Sequence, residues 1–351
     1  MAEQQALGSF YYGAREYNLI TFGNYNANGQ DTWGAVAVGG NFTDSGGMTL
    51  ENESWCLPSN SNRSSASDPS VLVAGKLTLA AGKETKINYG SFAYNPKSQN
   101  STAEYITTNK RFYPSGSDTD STAGHLTLNG ATTLADWATA SSAIQFSSLK
   151  NSLTSASAYL ASQTTLGGRT VPMATVNLVN SFQTVTASDK VVSYLDLKAG
   201  DYAGQQMNFV VPTTGMLVIN LHVSSAGNVF APGNVKVDGK DGSGSSNSSA
   251  NRVLWNVVYD DTTYSSLVVR TGELYGSFLS PNGTIEANGR IWGQVIADSF
   301  IQSSSYELHQ ALLTVDLALV PEPSTIALGM GALSLGFVYW RRRQQRQHQQ
   351  S

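Results

Sequence analysis

Short apolar runs bounded by glycine and small polar residues recur along most of the chain: Gly34-Ala-Val-Ala-Val-Gly-Gly-Asn41, Gly227-Asn-Val-Phe-Ala-Pro-Gly-Asn234, Gly276-Ser-Phe-Leu-Ser-Pro-Asn-Gly283 and Gly293-Gln-Val-Ile-Ala297. Each is a turn glycine, a brief strand and a small residue, often with a second turn. The last two are offset by 17 residues, and a further strand-turn unit, Thr284-Ile-Glu-Ala-Asn288-Gly289, lies in that interval. Near-repeats at roughly 20-residue spacing predict a parallel β-solenoid, with rungs ~4.8 Å apart and inward-facing Val, Ile, Leu and Phe. An antiparallel sandwich of similar strands is the competing arrangement. Two-residue hairpin turns do not connect most of these strands, which favours the solenoid.

Between Thr133 and Ser162 the period changes. Ala135, Ala138, Ser142, Phe146, Leu149, Leu153, Ala156 and Leu160 fall three or four apart, with no Gly or Pro inside. This spacing predicts one long amphipathic helix over 133–162, opened by the capping pair Thr133 and Asp136 and closed before Gly167-Gly168. About 28 residues would run roughly 42 Å, enough to lie along eight or nine rungs.

A third pattern occupies the end of the chain. Val320-Pro321-Glu322-Pro323-Ser324 precedes an apolar run from Ile326 to Trp340, then Arg341, Arg342, Arg343 and a Gln-rich end. Two prolines with fixed φ and no N–H donor break any preceding element. A helix over the run would be roughly 22 Å long, short of the ~30 Å hydrocarbon core, so Ser324, Thr325 and snorkelling arginines must share the span. The expected transmembrane segment is therefore 325–340. The arginines place the basic end, 341–351, in the cytoplasm and the rest of the chain outside. Burying such a helix inside a globular domain would strand three charges.

Composition agrees with export. Charged residues are 13% of the chain, and Gly, Ser, Thr and Asn are abundant. The net charge is −4, yet Arg341, Arg342, Arg343 and Arg346 are positive, so the part before the tail is more acidic still. No basic patch interleaved with aromatics stands outside the tail, which argues against nucleic acid and anionic lipid as partners. One cysteine, Cys56, forms no internal disulfide and reads as an inert thiol or an intermolecular link. Met1-Ala2-Glu3-Gln4-Gln5 opens directly onto polar chain, so residues 1–15 lack the signal peptide that export needs, and the expectation is a true start upstream.

Chemistry-bearing motifs are absent: no Gly-x-Ser-x-Gly, no phosphate-binding Gly-rich loop with Lys-Ser/Thr, no His-Glu-x-x-His and no Cys-x-x-Cys. His125, His222, His309 and His348 are scattered, and the first two sit in strand-like segments as surface histidines. A polysaccharide lyase or hydrolase needs two acids roughly 5–9.5 Å apart. The candidates are Asp260 with Asp261, Asp238 with Asp241 in a Gly/Ser loop, and Glu286 with Asp298. Adjacent aspartates more often cap a turn. Glu286 and Asp298 are 12 residues apart, out of phase with the 17-residue repeat. Asp238-Gly-Lys-Asp241-Gly lacks calcium-loop spacing. No catalytic residue, metal site or cofactor is implied.

The tail resembles the PEP-CTERM sorting signal of Gram-negative bacteria: Pro-Glu-Pro, a transmembrane stretch, then an arginine cluster. The resemblance implies that Val320, Pro321, Glu322, Pro323 and Ser324 form the processing motif, read by the membrane enzyme exosortase. It implies that Arg341, Arg342 and Arg343 set topology, and that the product stays at the envelope or enters extracellular polymer. A plain tail anchor is the rival reading. The body, about residues 16–318, is similar to the choice-of-anchor A family. The likeness rests on Tyr17-Asn-Leu-Ile-Thr-Phe-Gly23, Trp33-Gly-Ala-Val-Ala-Val-Gly-Gly40, the Leu149–Leu160 helix and Arg252-Val-Leu-Trp-Asn256. It continues through Gly276 to Gly283 and Gly289 to Ala297, ending near His309. That family implies an irregular right-handed parallel β-solenoid of the ice-binding-like kind with one helix along it, and an adhesive role without chemistry. Extracellular polysaccharide or a cell-surface ligand is the expected partner. Ice binding is a further alternative, but a Thr-x-Thr ladder is missing, with Thr184-Val-Thr186 an isolated case. The 16 tyrosines suit contacts to sugar or protein, and suit a strand core equally.

Overall fold

The computed structural model describes residues 17–313 apart from 51–69, 100–102, 115–121, 130–132, 143, 164–174, 180–181, 187–191, 212–214, 239–249, 262, 304–305 and 312. Residues 1–16, Cys56, the Val320–Ser324 motif, the 325–340 segment and Arg341–Arg343 lie outside the described residues. Among the described residues no helix is long and apolar enough to cross a membrane.

Strands stack as parallel rungs. Leu19 pairs with Val36, Tyr25 with Phe42, Glu273 with Arg290, Phe278 with Val295 and Ile291 with Leu308, each one 17-residue step apart. This is the offset seen between Gly276 and Gly293, and it excludes the antiparallel sandwich as the body of the fold. Three antiparallel pairings among the described residues, Glu104–Ile106 with Arg111–Tyr113, Arg111–Tyr113 with His125–Leu128 and Thr175–Val179 with Phe182–Thr186, depart from the parallel pattern.

Ten strands make the main path of a fifteen-stranded sheet. In chain order they are β1 (Leu19–Thr21), β2 (Val36–Val38), β3 (Val71–Val73), β4 (Ser91–Tyr94) and β5 (Thr133–Leu134). Then come β6 (Val192–Lys198), β7 (Met216–Val223), β8 (Val253–Tyr259), β9 (Ser277–Ala287) and β10 (Val295–Gln302). Their spatial order is β5-β4-β3-β2-β1-β10-β9-β8-β7-β6. The chain therefore starts in the middle, builds rungs outward to β5, crosses to the far end and returns rung by rung until β10 pairs with β1. At ~4.8 Å per rung the crossing covers roughly 43 Å.

Helices make part of that crossing. The single helix expected over 133–162 is not formed. Thr133 and Leu134 pair with Ser91 and Phe92 as the last rung, a four-residue helix α1 spans Trp137–Ala140, and the longer helix α2 spans Phe146–Ser162. The break needs no glycine. Asp136 caps α1 by accepting from Thr139 N (2.9 Å), and the hydroxyls of Ser141 and Ser142 donate back to Ala138 O and Thr139 O (3.3 and 2.7 Å). Such local side-chain bonds offer the backbone an alternative to helix continuation. At 17 residues, α2 is about 25 Å long, so it covers roughly half the ladder rather than eight or nine rungs.

Its seating follows from two periods that nearly match. Residues three or four apart on a helix rise about 4.5–6 Å, close to the rung spacing. Lys150 Nζ meets Asp298 Oδ1 on β10 (2.5 Å), Thr154 Oγ1 donates to Asn282 Oδ1 on β9 (3.0 Å), and Ser157 Oγ donates to Asn256 Oδ1 on β8 (2.6 Å). Finally, Leu160 O accepts from Asn220 Nδ2 on β7 (3.2 Å). Between these contacts Leu153 and Leu160 bury in one cluster with Val218, Leu254, Leu279 and Ile296, and Ala156 is buried on the same helix. With core on one side and helix on the other, the strands under α2 read as unbroken buried runs such as Met216-Leu-Val-Ile219 and Val253-Leu-Trp255.

The other two walls have one open side and alternate. Tyr25–Ala27, Phe42–Asp44, Leu77–Leu79, Ser266–Val269 and the C-terminal parts of β9 and β10 form the second wall. The third is made of shorter ladders joined where Thr32 bridges Leu50 and Leu308. At the corner between the first two walls the rungs approach so closely that a Cβ on Gly75 would lie 2.2 Å from Gly40 O. Side chains there continue the ladder, with Ser299 Oγ accepting from Asn24 N (3.1 Å), Asn24 Oδ1 from Asn41 N (2.9 Å) and Asn41 Oδ1 from Lys76 N (2.8 Å).

Candidate functional site

Among the described residues, each acidic candidate has a contact of its own. Asp260 Oδ1 bonds His222 Nδ1 (2.8 Å), whereas Asp261 Oδ1 accepts from Thr263 N (2.9 Å) and Thr263 Oγ1 (2.7 Å), closing its own turn. Asp238 pairs with Arg252 (2.8 Å) and accepts from Val211 N (2.9 Å), and Asp241 lies outside the described residues. Glu286 accepts from Asn288 on the open second wall (2.7 Å), while Asp298 is held by Lys150 under the helix. Register keeps those two apart, since Glu286 is level with Ile301. No group of three His, Cys, Asp or Glu among the described residues is placed to hold a metal ion.

His125 packs its ring 5.4 Å from Tyr113. His309 is wedged between Trp33 and Trp292, with ring centroids 3.9 and 4.0 Å away. Burial, then the Arg290 charge, pushes its pKa down to about 3 against the pull of Glu273. It is therefore a neutral ring donating from Nε2 to Glu307 Oε2 (2.7 Å). His222 is the opposite case. Asp196 (3.7 Å from Nε2) and Asp260 raise its pKa to about 9 against partial burial. With an unfolded value near 6.5, its stabilisation is full below that pH and is lost as pH rises through about 9. The wild type should lose about 1 kcal/mol more than His222→Gln over that interval, allowing for solvent screening of the pair. Urea unfolding midpoints at the two ends of the interval check this; parallel curves would refute it.

Two open surfaces remain for recognition. On the second wall the outward row runs Thr78, Thr43, Asn26, Ile301 and Glu286 from rung to rung and ends at Val268, which is buried. Threonine occupies only its first two rungs. Elsewhere, Thr184 pairs with Asn177 and Asn208, and Thr186 with Thr175 and Val210, so neither threonine is flanked by threonine on both sides.

The second surface is a cleft of about 390 Å3 between α2 and the turns after β8 and within β9, lined among others by Thr154, Ser157, Tyr259, Asp261, Tyr264 and Asn282. Tyr259 reaches it because position 283 is glycine; a Cβ there would lie 2.1 Å from the Tyr259 hydroxyl. That hydroxyl bonds Ser280 Oγ (2.8 Å), and burial pushes its pKa up to about 12, so it stays protonated. The Tyr264 hydroxyl accepts from Asn228 Nδ2. The cleft draws on three distant segments, and no contiguous motif announced it.

Comparison with known proteins adds the family. Residues 319–343 match the PEP-CTERM protein-sorting motif, a signal of exported proteins, covering both Val320–Ser324 and Arg341–Arg343. Among solved structures, an ice-binding protein from an Antarctic biological consortium matches at 12% identity over 87% of this chain and 88% of its own, with a TM-score of 0.31. An ice-binding protein domain from Shewanella frigidimarina matches at 11% identity over 85% and 95%, with a TM-score of 0.31. An ice-binding protein from Antarctomyces psychrotrophicus matches at 14% identity over 85% and 95%, with a TM-score of 0.25. No curated protein matches the chain. Residues 10–310 match the model described as "Putative Ice-binding-like adhesive domain", and since this is most of the chain, the protein belongs to the ice-binding-like adhesive domain family.

Proposed function

We propose that the protein is an exported surface or extracellular-matrix component, processed at its tail by exosortase, whose right-handed β-solenoid is an adhesive and non-catalytic module of the choice-of-anchor A kind. The observation that carries this reading is the adjacency of an adhesive-domain match over 10–310 and a sorting-motif match over 319–343. In the precursor the 325–340 segment spans the inner membrane of a Gram-negative cell with Arg341, Arg342 and Arg343 cytoplasmic. After cleavage near Pro321-Glu322-Pro323 the rod is held at the envelope or passed into extracellular polysaccharide. The geometry supports binding over a lyase or hydrolase, because the paired-acid candidates are spent on Lys150, Arg252, His222 and local turns. The mixed outward row on the second wall favours adhesion over ice.

Cell fractionation tests the sorting half. The full protein, tagged before Leu319 and expressed with an export leader, is expected to lose its tail and appear in envelope or extracellular polymer. The same protein without 321–351 is expected to spill into the medium. If both stay in the cytosol, or both reach the medium alike, the tail is not an address and the proposal fails.

A further inference from the structure

We propose that the cleft beside α2 binds a neutral or amino-bearing sugar unit of a polysaccharide, which gives the adhesive reading a site and a ligand class and rests on that reading. A pyranose presents an apolar face of C–H groups and a rim of hydroxyls that donate and accept. The cleft offers matching surfaces. Its tyrosine rings, with Val257 and Pro281, supply apolar contact, and Thr154, Ser157, Ser265 and Asn282 supply short polar groups from the helix and the rung corner. Flat aromatic rings give a large, stiff contact surface, with a polar tip held in place here by Ser280 and Asn228. Thr154 donates to Asn282 Oδ1, so the Asn282 amide keeps its two N–H donors for a ligand. The volume, about 390 Å3, sits at the low end of the roughly 300–1,000 Å3 of small-molecule sites, room for one or two sugar rings rather than a folded partner.

Charge narrows the class. Asp261 carries the one charge among the lining residues, and neither Lys nor Arg lines the cleft. The two hydrogen bonds from Thr263 fix that carboxylate in place and hold its pKa below the usual range. A uronate or sulfated sugar would meet repulsion without a compensating cation, a neutral sugar would find an acceptor, and an amino sugar an ion pair. The scaffold is also stiff on both sides, because α2 is bonded to β7, β8, β9 and β10 at successive rungs.

Isothermal titration of the purified full chain with three tetrasaccharides, of a neutral hexose, of glucosamine and of galacturonic acid, tests the inference. The first two are expected to bind and the third to bind at least about tenfold more weakly. Tyr264→Ala should weaken binding about tenfold by removing a stacking surface. Ala158→Leu should do the same by filling the cleft from the exposed side of α2, with a residue that favours the helix and leaves the fold intact. Asp261→Asn should abolish the preference for the amino sugar. Wild-type binding in both Tyr264→Ala and Ala158→Leu, or strongest binding of the uronate, would overturn the site. Co-sedimentation with whole envelope polymer separates the two levels. A chain that sediments with polymer but takes up none of the tetrasaccharides refutes the cleft alone, and one that does neither refutes the adhesive reading as well.

Discussion

Replacing Leu19 by aspartate is expected to unfold both halves of the main sheet together, at a cost of more than about 5 kcal/mol, because an unpaired carboxylate would be buried at the seam where the first and last rungs meet. Leu19 is fully buried and lies between Val36 and Val295 in register. Around it the seam is bonded without interruption. Val295 N donates to Asn18 O (2.8 Å), Phe22 N to Ala297 O (3.0 Å), Gln294 Nε2 to Tyr17 O (2.7 Å) and Trp33 N to Leu308 O (2.8 Å). In the core, the Tyr25 hydroxyl bonds Thr32 Oγ1 (3.0 Å) and Gln302 Oε1. Loss of β1 would expose the edges of β2 and β10 at once, and each exposed edge is a row of unsatisfied backbone groups. Soluble yield, circular dichroism and limited proteolysis of Leu19→Asp measure the outcome. A protease-resistant fragment spanning 192–313 would show that the second half stands alone, and the seam would then be a mere contact.

That seam marks the limit of what the repeat could tell. A 17-residue offset states which residue stacks on which in the next rung, and it was legible between Gly276 and Gly293 because no insertion separates them. The step from Val36 to Val71 is longer because residues 51–69 intervene, which blurs the period without changing the stacking. Nothing in a local period says that the first rung meets the last. Leu19-Ile-Thr21 and Val295-Ile-Ala297 look like interior rungs, and that is what they are. The helix was legible in its buried face, Leu153, Ala156 and Leu160, but not in its start, since serine hydroxyls rather than Gly or Pro end the preceding turn. The sorting motif was legible because its residues are contiguous, and residues 319–343 match it. The cleft was not: residues 154–161, 257–265 and 281–282 become neighbours only when α2 lies across β8 and β9.

Trp255→Ala is expected to cost about 4 kcal/mol, the range for deleting a fully buried indole that its surroundings cannot refill. Trp255 is 0% exposed and sits among three phenylalanines. Phe209 meets its edge at 5.4 Å, Phe230 lies at 5.1 Å and Phe278, on the next rung, stacks at 5.9 Å. Phe230 pairs with Val269 of the second wall, Phe209 pairs with Val185 in a separate ladder and Phe278 lies on β9, so the hole cannot close by moving one strand. The indole N–H also donates to Tyr275 O (2.8 Å), and alanine would leave that buried carbonyl short of a partner. Gly276 shows how tightly the indole is fitted: its φ of +113° is a backbone state L residues avoid, and a Cβ there would lie 2.7 Å from the indole nitrogen. Trp255→Phe keeps most of the packing and loses the hydrogen bond, so it should cost about 1–2 kcal/mol. Urea unfolding followed by circular dichroism, with equal m values required for comparison, ranks the two variants. If alanine costs no more than phenylalanine, the core between the walls is looser than the stacked rings imply. The rod would then lack the stiffness on which a fixed cleft beside α2 depends.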